Sequence, residues 1–273
     1  MSNAYSINEG VLTRLELESA VPLAGEVTVE IQASSINYRD LGIQAGFYPS
    51  RGGVVPISDG AGRVIDIGDG VTDLVPGDLV ASCFFPFWEA GPATAANHCA
   101  SLGCEMDGLL RSTATLPASA FLRAPDYLSA SEVATLPCAA LTAWAALLTR
   151  GGLIPGEHVL VQGTGGVAVF AVQFAKAMGA TVTVISSSDE KLHKICQLGA
   201  DHTVNYVEHP RWSDRVIELL GGEHIDLAIE LGGAETLAQS LNCLRVGGRI
   251  SVIGVLSGNE AQVVISDILR KWV

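Results

Sequence analysis

Positive charge is scarce in this sequence. Sixteen lysines and arginines stand against 29 aspartates and glutamates over 273 residues, a formal net charge of −13. Nucleic acid and anionic membrane surfaces call for a basic face, so neither is expected as a partner. Cysteine is present but not organised. The six cysteines, Cys83, Cys99, Cys104, Cys138, Cys196 and Cys243, are scattered, with no C-x-x-C spacing among them. That pattern in a chain of this length excludes a disulfide framework and makes a reducing cytoplasm the expected compartment. No apolar signal segment opens the chain, because Glu9 and Arg14 come early. The uncharged run from Val133 to Thr149 contains Pro137 and is short for a membrane span, so it reads as buried core. Internal repeats and low-complexity tracts are absent too.

What is present fits a turn-rich α/β protein: 48% hydrophobic residues with Gly 30 and Pro 11. The length exceeds what one core usually organises, so two domains are expected. The first part reads as β. Val27, Val29 and Ile31 alternate with Thr28, Glu30 and Gln32, the period of a half-buried strand. Gly60 to Gly68 reads as another, and Pro76-Gly77-Asp78 turns into Leu79-Val80-Ala81. Residues 84–108 lack periodicity and read as a long loop or lobe. Near Pro125 the character changes, which places the domain boundary at 124/125. Ser129-Ala-Ser-Glu132 is a capping box that opens a helix.

Beyond it, strands and helices alternate, which implies a parallel, doubly wound sheet. Strands are expected at His158–Gln162, Thr181–Ile185, Thr203-Val204, Ile225–Glu230 and Arg249–Val255. Helices are expected between them, at about Asp189–Leu198, Asp214–Leu220 and Ala234–Leu244, with an apolar one before Gly179. The first strand runs straight into Gly163-Thr164-Gly165-Gly166-Val167-Ala168 and that apolar helix. Strand, glycine turn, helix, strand is the unit that holds a dinucleotide. Gly163 permits the tight turn, Gly165 lets backbone approach a pyrophosphate, and Ala168 keeps helix and strand close. The helix N-terminus adds free N–H groups and the positive end of its dipole.

The second strand ends without an acid. A site for an unphosphorylated ribose places Asp or Glu about 20 residues past the first glycine, and that window holds Thr183-Val-Ile-Ser186-Ser187. Ser186, Ser187 and Lys191 offer hydroxyls and a cation for a 2′-phosphate, so NADP(H) is the expected cofactor. The competing readings are a solvated Lys191 balanced by Asp189 and Glu190, and an Asp189 that reaches a ribose over a longer loop.

These residues resemble the medium-chain dehydrogenase/reductase superfamily, in its zinc-independent quinone oxidoreductase-like and alcohol dehydrogenase-like branch. The carrying motifs are Ser35-Ile-Asn37-Tyr38-Arg39-Asp40, Ser58-Asp59-Gly60-Ala61-Gly62, Pro76-Gly77-Asp78, Ala134 through Trp144, and Val159 through Val167. The resemblance implies a GroES-like β-barrel domain (1–124) and a Rossmann domain (125–273), with the active site in the cleft between them. It implies that Tyr38 and Asn37 line the site and stabilise charge on the substrate oxygen, that Thr142 touches the nicotinamide ribose, and that Tyr206 packs at the adenosine phosphate end. Gly232, Ile253, Gly254 and Val255 follow strands four and five and should flank the nicotinamide half. Asp40 is expected to orient backbone or Arg39. The lobe aromatics Phe84, Phe85, Phe87 and Trp88 either roof the substrate or pack the lobe.

Zinc relatives hold their metal with a Cys, a His and a second Cys. The matching positions here are near Asn37, at Ser58 and at Cys138, so no metal is expected and Cys138 reads as a small buried residue. The lobe residues Cys83, His98, Cys99 and Cys104 lack the spacing of a structural zinc site. The resemblance also implies a sixth Rossmann strand beyond Val273. Without it the fifth strand is a sheet edge, and a homodimer is expected only if that strand is supplied. The expected activity is hydride transfer between NADPH and a carbonyl, quinone or activated alkene, with a small-molecule substrate. The alternatives are a non-catalytic NADP(H)-binding protein, an inactive shortened reductase and a zinc dehydrogenase.

Overall fold

The computed structural model describes residues 2–18 and 20–273. The chain divides into two compact units, Met1–Ala139 and Ala140–Val273. The boundary expected at 124/125 is thereby corrected to 139/140. The reason is packing: Val133 and Ala134 bury against Ala61, Leu79 and Ala124, so the segment after Pro125 belongs to the β unit.

In the first unit β1 (Ser2–Asn8) and β2 (Val11–Leu17) form an antiparallel hairpin. A five-stranded antiparallel sheet contains β3 (Glu26–Ser35), β4 (Asp59–Ile67), β5 (Leu79–Ser82), β6 (Thr113–Pro117) and β7 (Phe121–Arg123), in the order β6-β3-β4-β5-β7. The alternation in β3 holds at its apolar positions: Val27 and Val29 are fully buried with Val64, Val80, Leu102 and Leu109. Gly62 must be glycine, since a Cβ there would sit 2.0 Å from the Glu30 carbonyl of the paired strand. Between β3 and β4 lies α1 (Tyr38–Gln44), and α2 (Ala130–Val133) follows β7. The capping box that opens α2 is present: Ser129 N–H donates to Glu132 at 2.8 Å and Glu132 N–H to Ser129 Oγ at 3.3 Å.

The second unit opens with α3 (Leu141–Trp144), flanked by π-helical turns at Leu136–Ala140 and Ala145–Thr149. The parallel sheet has the order β10-β9-β8-β11-β12. Its strands are β8 (His158–Gln162), β9 (Thr181–Ser186), β10 (His202–Asn205), β11 (Ile225–Glu230) and β12 (Leu244–Val252). Helices α4 (Gly166–Ala177), α5 (Asp189–Gln197), α6 (Trp212–Leu219), α7 (Leu237–Cys243) and α8 (Ile265–Lys271) complete it. Both faces of the sheet are covered. Val159, Val161, Val182, Val184, Leu227 and Ile229 pack under α4, while Leu160, Ile185, Val204 and Ala228 pack with Trp212 and Leu241. Period-2 strands with apolar residues on both faces are what a doubly wound sheet requires.

Two boundaries differ from the sequence reading. β12 starts at Leu244 rather than Arg249, because Gly247 (φ +72°) and Gly248 lie inside the strand; Ile253, Gly254 and Val255 then lie past its end. Helix α7 starts at Leu237 rather than Ala234, because residues 234–236 form a turn in which the Ala234 and Glu235 N–H groups donate to the Gly258 carbonyl and Ser257 Oγ. β12 forms the edge of the sheet. Among the described residues no helix is long and apolar enough to cross a membrane.

Candidate active site

β8 leaves the core at Gln162 and turns at Gly163, whose φ of +74° is one that L side chains rarely adopt. Gly165 is the N-cap of α4 and supplies no side-chain cap. The first N–H groups of a helix have no acceptor within it, so here they stay open to a ligand. A Cβ built on Gly165 would meet nothing within 4 Å, and its φ is −80°. The chain's own packing therefore does not demand glycine at 165; the space beside it is free for an incoming group. Ala168, directly below, is fully buried against β8, as the close helix–strand approach requires. Thr164 and Val167 are half-buried and Gly166 is exposed. A diphosphate fits this turn: bare N–H groups, a helix dipole and no side chain in the way.

At the end of β9, Ser186 is buried and Ser187 exposed. Tyr206 is brought to this strand end, its N–H donating to the Ser186 carbonyl at 3.1 Å. Ser188 caps α5 through its Oγ, at 3.4 Å from Lys191 N. The acids beside Lys191 are engaged elsewhere. Glu190 pairs with Lys194 at 2.6 Å, and Asp189 accepts from Asn205 Nδ2 at 2.8 Å. The reading in which Asp189 and Glu190 balance Lys191 is thus not the arrangement found. The Lys191 side chain is exposed and has no ion-pair or hydrogen-bond partner among the described residues.

The ends of β8 and β11 are tied together by a carboxylate that the sequence reading passed over. Glu230 is fully buried. It accepts from Gln162 Nε2 at 2.6 Å, Ser240 Oγ at 2.5 Å, Thr236 Oγ1 at 2.5 Å, Gly232 N at 3.1 Å and Gly233 N at 2.9 Å. Gln162 Oε1 takes the N–H groups of Leu231 and Gly232 at 3.1 and 2.8 Å. These bonds fix the loop that carries Gly232, and residues 234–236 form a hydrogen-bonded turn before α7. Gly254 packs against the same loop, since a Cβ on it would lie 2.2 Å from the Leu231 carbonyl. Gly254 N–H donates to the Glu230 carbonyl at 3.2 Å, which brings Gly232, Ile253 and Gly254 together. Ile253 and Thr142 also line one cavity of about 370 Å³ with Ala145, Arg150 and Ser251. The signal available in the sequence was an acid closing the apolar strand Ile225–Glu230.

In the first unit, Asn37 is the N-cap of α1 and Tyr38 its first residue. Tyr38 is 63% exposed, and its hydroxyl has no hydrogen-bond partner among the described residues. It is therefore not a tyrosine packed at a barrel edge with its hydroxyl on backbone. Asp40 does orient backbone, accepting Asn37 N–H at 2.7 Å. Arg39 instead holds the lobe: it donates to the Leu102 carbonyl at 3.0 Å and Ser101 Oγ at 2.9 Å, and its guanidinium stacks 4.3 Å over Phe84. Phe85 packs on Phe84, Trp88 and His98, so three lobe aromatics pack the lobe, while Phe87 is exposed.

The three positions that match zinc ligands surround Asp59, which is fully buried. Ser58 Oγ donates to it at 2.7 Å and the Cys138 N–H at 2.9 Å. Asn37 lies beside it and favours its charged form, although Asn37 Nδ2 closes no hydrogen bond of ordinary geometry. Burial pushes the Asp59 carboxyl above its usual range; Ser58, Asn37 and the Cys138 peptide pull it back in part, and Asp40 pushes it further up. Asp40 is also raised, chiefly by burial. Cys138 is half-buried rather than buried, and sits in the middle of a π-helical turn with its N–H directed to Asp59.

An amide, a hydroxyl and one thiol are a poor donor set for zinc, which takes thiolates, imidazoles and carboxylates. Among the described residues no three His, Cys, Asp or Glu side chains are grouped to hold a metal. In the lobe, Cys104 donates its thiol to the Pro49 carbonyl, His98 stacks on Phe85, and burial pushes the Cys83 thiol up to about 11. The residues present do not fit a zinc ion at either place.

Comparison with known proteins agrees with this architecture. Residues 23–126 match the alcohol dehydrogenase GroES-like domain and residues 166–273 the zinc-binding dehydrogenase family. A zinc-type alcohol dehydrogenase-like protein of Schizosaccharomyces pombe is 45% identical over 90% of this chain and 72% of its own length. The acryloyl-coenzyme A reductase of Metallosphaera sedula is 30% identical over 88% of this chain and 72% of its own. Among solved structures, an NAD-dependent alcohol dehydrogenase is 31% identical with a TM-score of 0.89, covering 99% of this chain and 82% of that one. The Escherichia coli quinone oxidoreductase complexed with NADPH is 25% identical with a TM-score of 0.80, covering 98% of this chain and 78% of that one. The glycine turn, the sheet order and these matches together make the chain a member of the medium-chain dehydrogenase/reductase superfamily.

Proposed function

We propose that this chain is an NADPH-dependent oxidoreductase that works without zinc and moves hydride between the nicotinamide and a carbonyl, quinone or activated alkene. One observation carries the choice of coenzyme: the β9 end offers Ser186, Ser187 and an unpartnered Lys191, while the nearby acids are paired elsewhere. A phosphate is favoured by such a cation and by hydroxyl donors. Both NAD- and NADPH-binding proteins occur among the similar structures, so the coenzyme is read from these side chains. The substrate class draws support from the quinone oxidoreductase and acryloyl-coenzyme A reductase relatives.

The coenzyme, when bound, supplies the hydride. The chain's own residues hold and orient. Gly163, Thr164, Gly165, Gly166 and Val167 offer backbone N–H groups to the diphosphate. Gly232, Ile253, Gly254 and Val255, braced by Glu230, form the wall for the nicotinamide half, with Thr142 toward its ribose and Tyr206 toward the adenosine end. Asn37 Nδ2 is a buried donor that lies beside Asp59 without closing a hydrogen bond of ordinary geometry, and it serves to stabilise negative charge on a substrate oxygen. Tyr38, whose hydroxyl is free and exposed, serves as the proton donor.

NADPH fluorescence titration followed by turnover on a panel of quinones and enones tests this reading. Saturable NADPH binding with turnover that falls in Tyr38→Phe supports it. No binding at high micromolar NADPH ends it. Tight binding without turnover on any panel member leaves a non-catalytic NADPH-binding protein, and stoichiometric zinc in active protein by elemental analysis overturns the metal-free mechanism.

A further inference from the structure

The corner where β9, β10 and α5 meet holds one carboxylate in a particular place. Asp189 is the first residue of α5. Its Oδ1 accepts from Asn205 Nδ2 at 2.8 Å, and Asn205 closes β10. The amide is held from its other end as well, because Asn205 Oδ1 accepts Val207 N–H at 3.1 Å. It cannot turn over without losing both bonds. Asn205 is the register partner of Ser186 across the β9–β10 pair. Two residues apart on a helix, Asp189 and Lys191 do not face each other. One side of the first turn of α5 thus carries an acid bound to β10, and the other an ammonium with no partner among the described residues.

An acid at this strand end is what a ribose bearing a free 2′-hydroxyl would use, and it repels a 2′-phosphate. We infer that Asn205 is a coenzyme-selectivity residue: by binding Asp189 to β10 it withholds that carboxylate from the ribose and leaves Ser186, Ser187 and Lys191 to a 2′-phosphate. Its effect is exerted through Asp189, not by contact with the coenzyme. The inference rests on the NADPH reading of the same strand end.

The test is the ratio of dissociation constants for NADH and NADPH, measured on the full chain by fluorescence titration in wild type, Asn205→Ala and Asn205→Ala/Asp189→Asn. Wild type should favour NADPH. Asn205→Ala should narrow the ratio by about two- to fivefold, the range of a solvent-screened charge contact, and by more at low salt. The double variant, with no carboxylate to release, should return the ratio to the wild-type value. An unchanged ratio in Asn205→Ala overturns the inference. So does a double variant that stays narrowed, because a loosened turn would then be the cause. Should Asn205→Ala fail to fold, Asn205→Asp keeps an acceptor for Val207 and drives Asp189 off by like charge, so the same narrowing is expected and its absence is equally fatal. A wild type indifferent to the two coenzymes removes the NADPH reading and this inference together, a result distinct from a wild-type preference that Asn205 does not control.

Discussion

In the first unit the Ser58 hydroxyl, the Cys138 N–H and the Asn37 side chain gather round Asp59, a carboxylate of the same chain. In the second unit the first N–H groups of α4 meet no side chain, because the cap is Gly165. Each is a concentration of donors near a helix or turn start. In one the acceptor is built in, and in the other it is left out. Donors already satisfied internally hold the fold. Those left unsatisfied, at a point where the chain does not need glycine for its own packing, stay available to a ligand. Glu230 shows both uses within one unit: its donors are fully engaged, and the loop they fix borders the open turn.

The comparison breaks most severely at Glu230. Replacing it by alanine leaves Ser240 Oγ and the Gly233 N–H without an acceptor, while Gln162 keeps Ser240 Oγ, the Gly232 N–H keeps Gln162 Oε1 and Thr236 keeps only the Gly233 carbonyl at 3.4 Å. A loss of roughly 3 kcal/mol is expected, because each buried donor left unsatisfied costs about 1–3 kcal/mol. Urea unfolding measures it, and Glu230→Gln should retain more of the stability. A loss under about 1 kcal/mol would mean that these bonds contribute little to holding the two strand ends.

The open turn is tested by filling it. Gly165→Val places a side chain where nothing lies within 4 Å, so the fold should survive with at most about 1 kcal/mol lost from the weaker N-cap. NADPH affinity should fall by roughly ten- to a hundredfold, the worth of one or two charge-assisted bonds to phosphate. Equal binding by the variant would show that the space is not the diphosphate site.

The smallest effect belongs to the filled site. The Asp59 carboxyl is raised above 3.8, chiefly by burial. Its stabilising contribution is therefore complete below 3.8 and is lost as pH rises through the higher folded value. Asp59→Asn stays neutral throughout. Its stability relative to wild type should thus increase over that pH rise, as followed by thermal unfolding in a pH series. A difference that is flat, or that shrinks with pH, contradicts the account of a carboxylate whose hydrogen bonds only partly offset its burial.

Local features were legible in the sequence. The strand Ile225–Glu230, the capping box at Ser129, the glycine turn and the order of the five strands stand where their residues place them, with the fifth strand starting earlier than read. These rest on periodicity and backbone conformation within a few residues. What escaped depends on partners far along the chain. Glu230 finds its donors at Gln162 and Ser240, and Asp189 finds Asn205. The later domain boundary arises because Val133 packs on Ala61 and Leu79. The later start of α7 goes with the Ala234 and Glu235 N–H groups, which donate to the Gly258 carbonyl and Ser257 Oγ. Residue type alone gives no hint of such pairings.

The central claim is that the backbone N–H groups at Gly165 and Gly166 are left without an acceptor by the chain itself and meet the coenzyme diphosphate. Amide chemical shifts of 15N-glycine-labelled protein, followed during an NADPH titration, test it most directly. The Gly165 and Gly166 signals should move with saturable dependence on NADPH, while those of Gly62 and Gly108 in the β unit's core stay in place. Saturable binding that leaves Gly165 and Gly166 unmoved would contradict the claim.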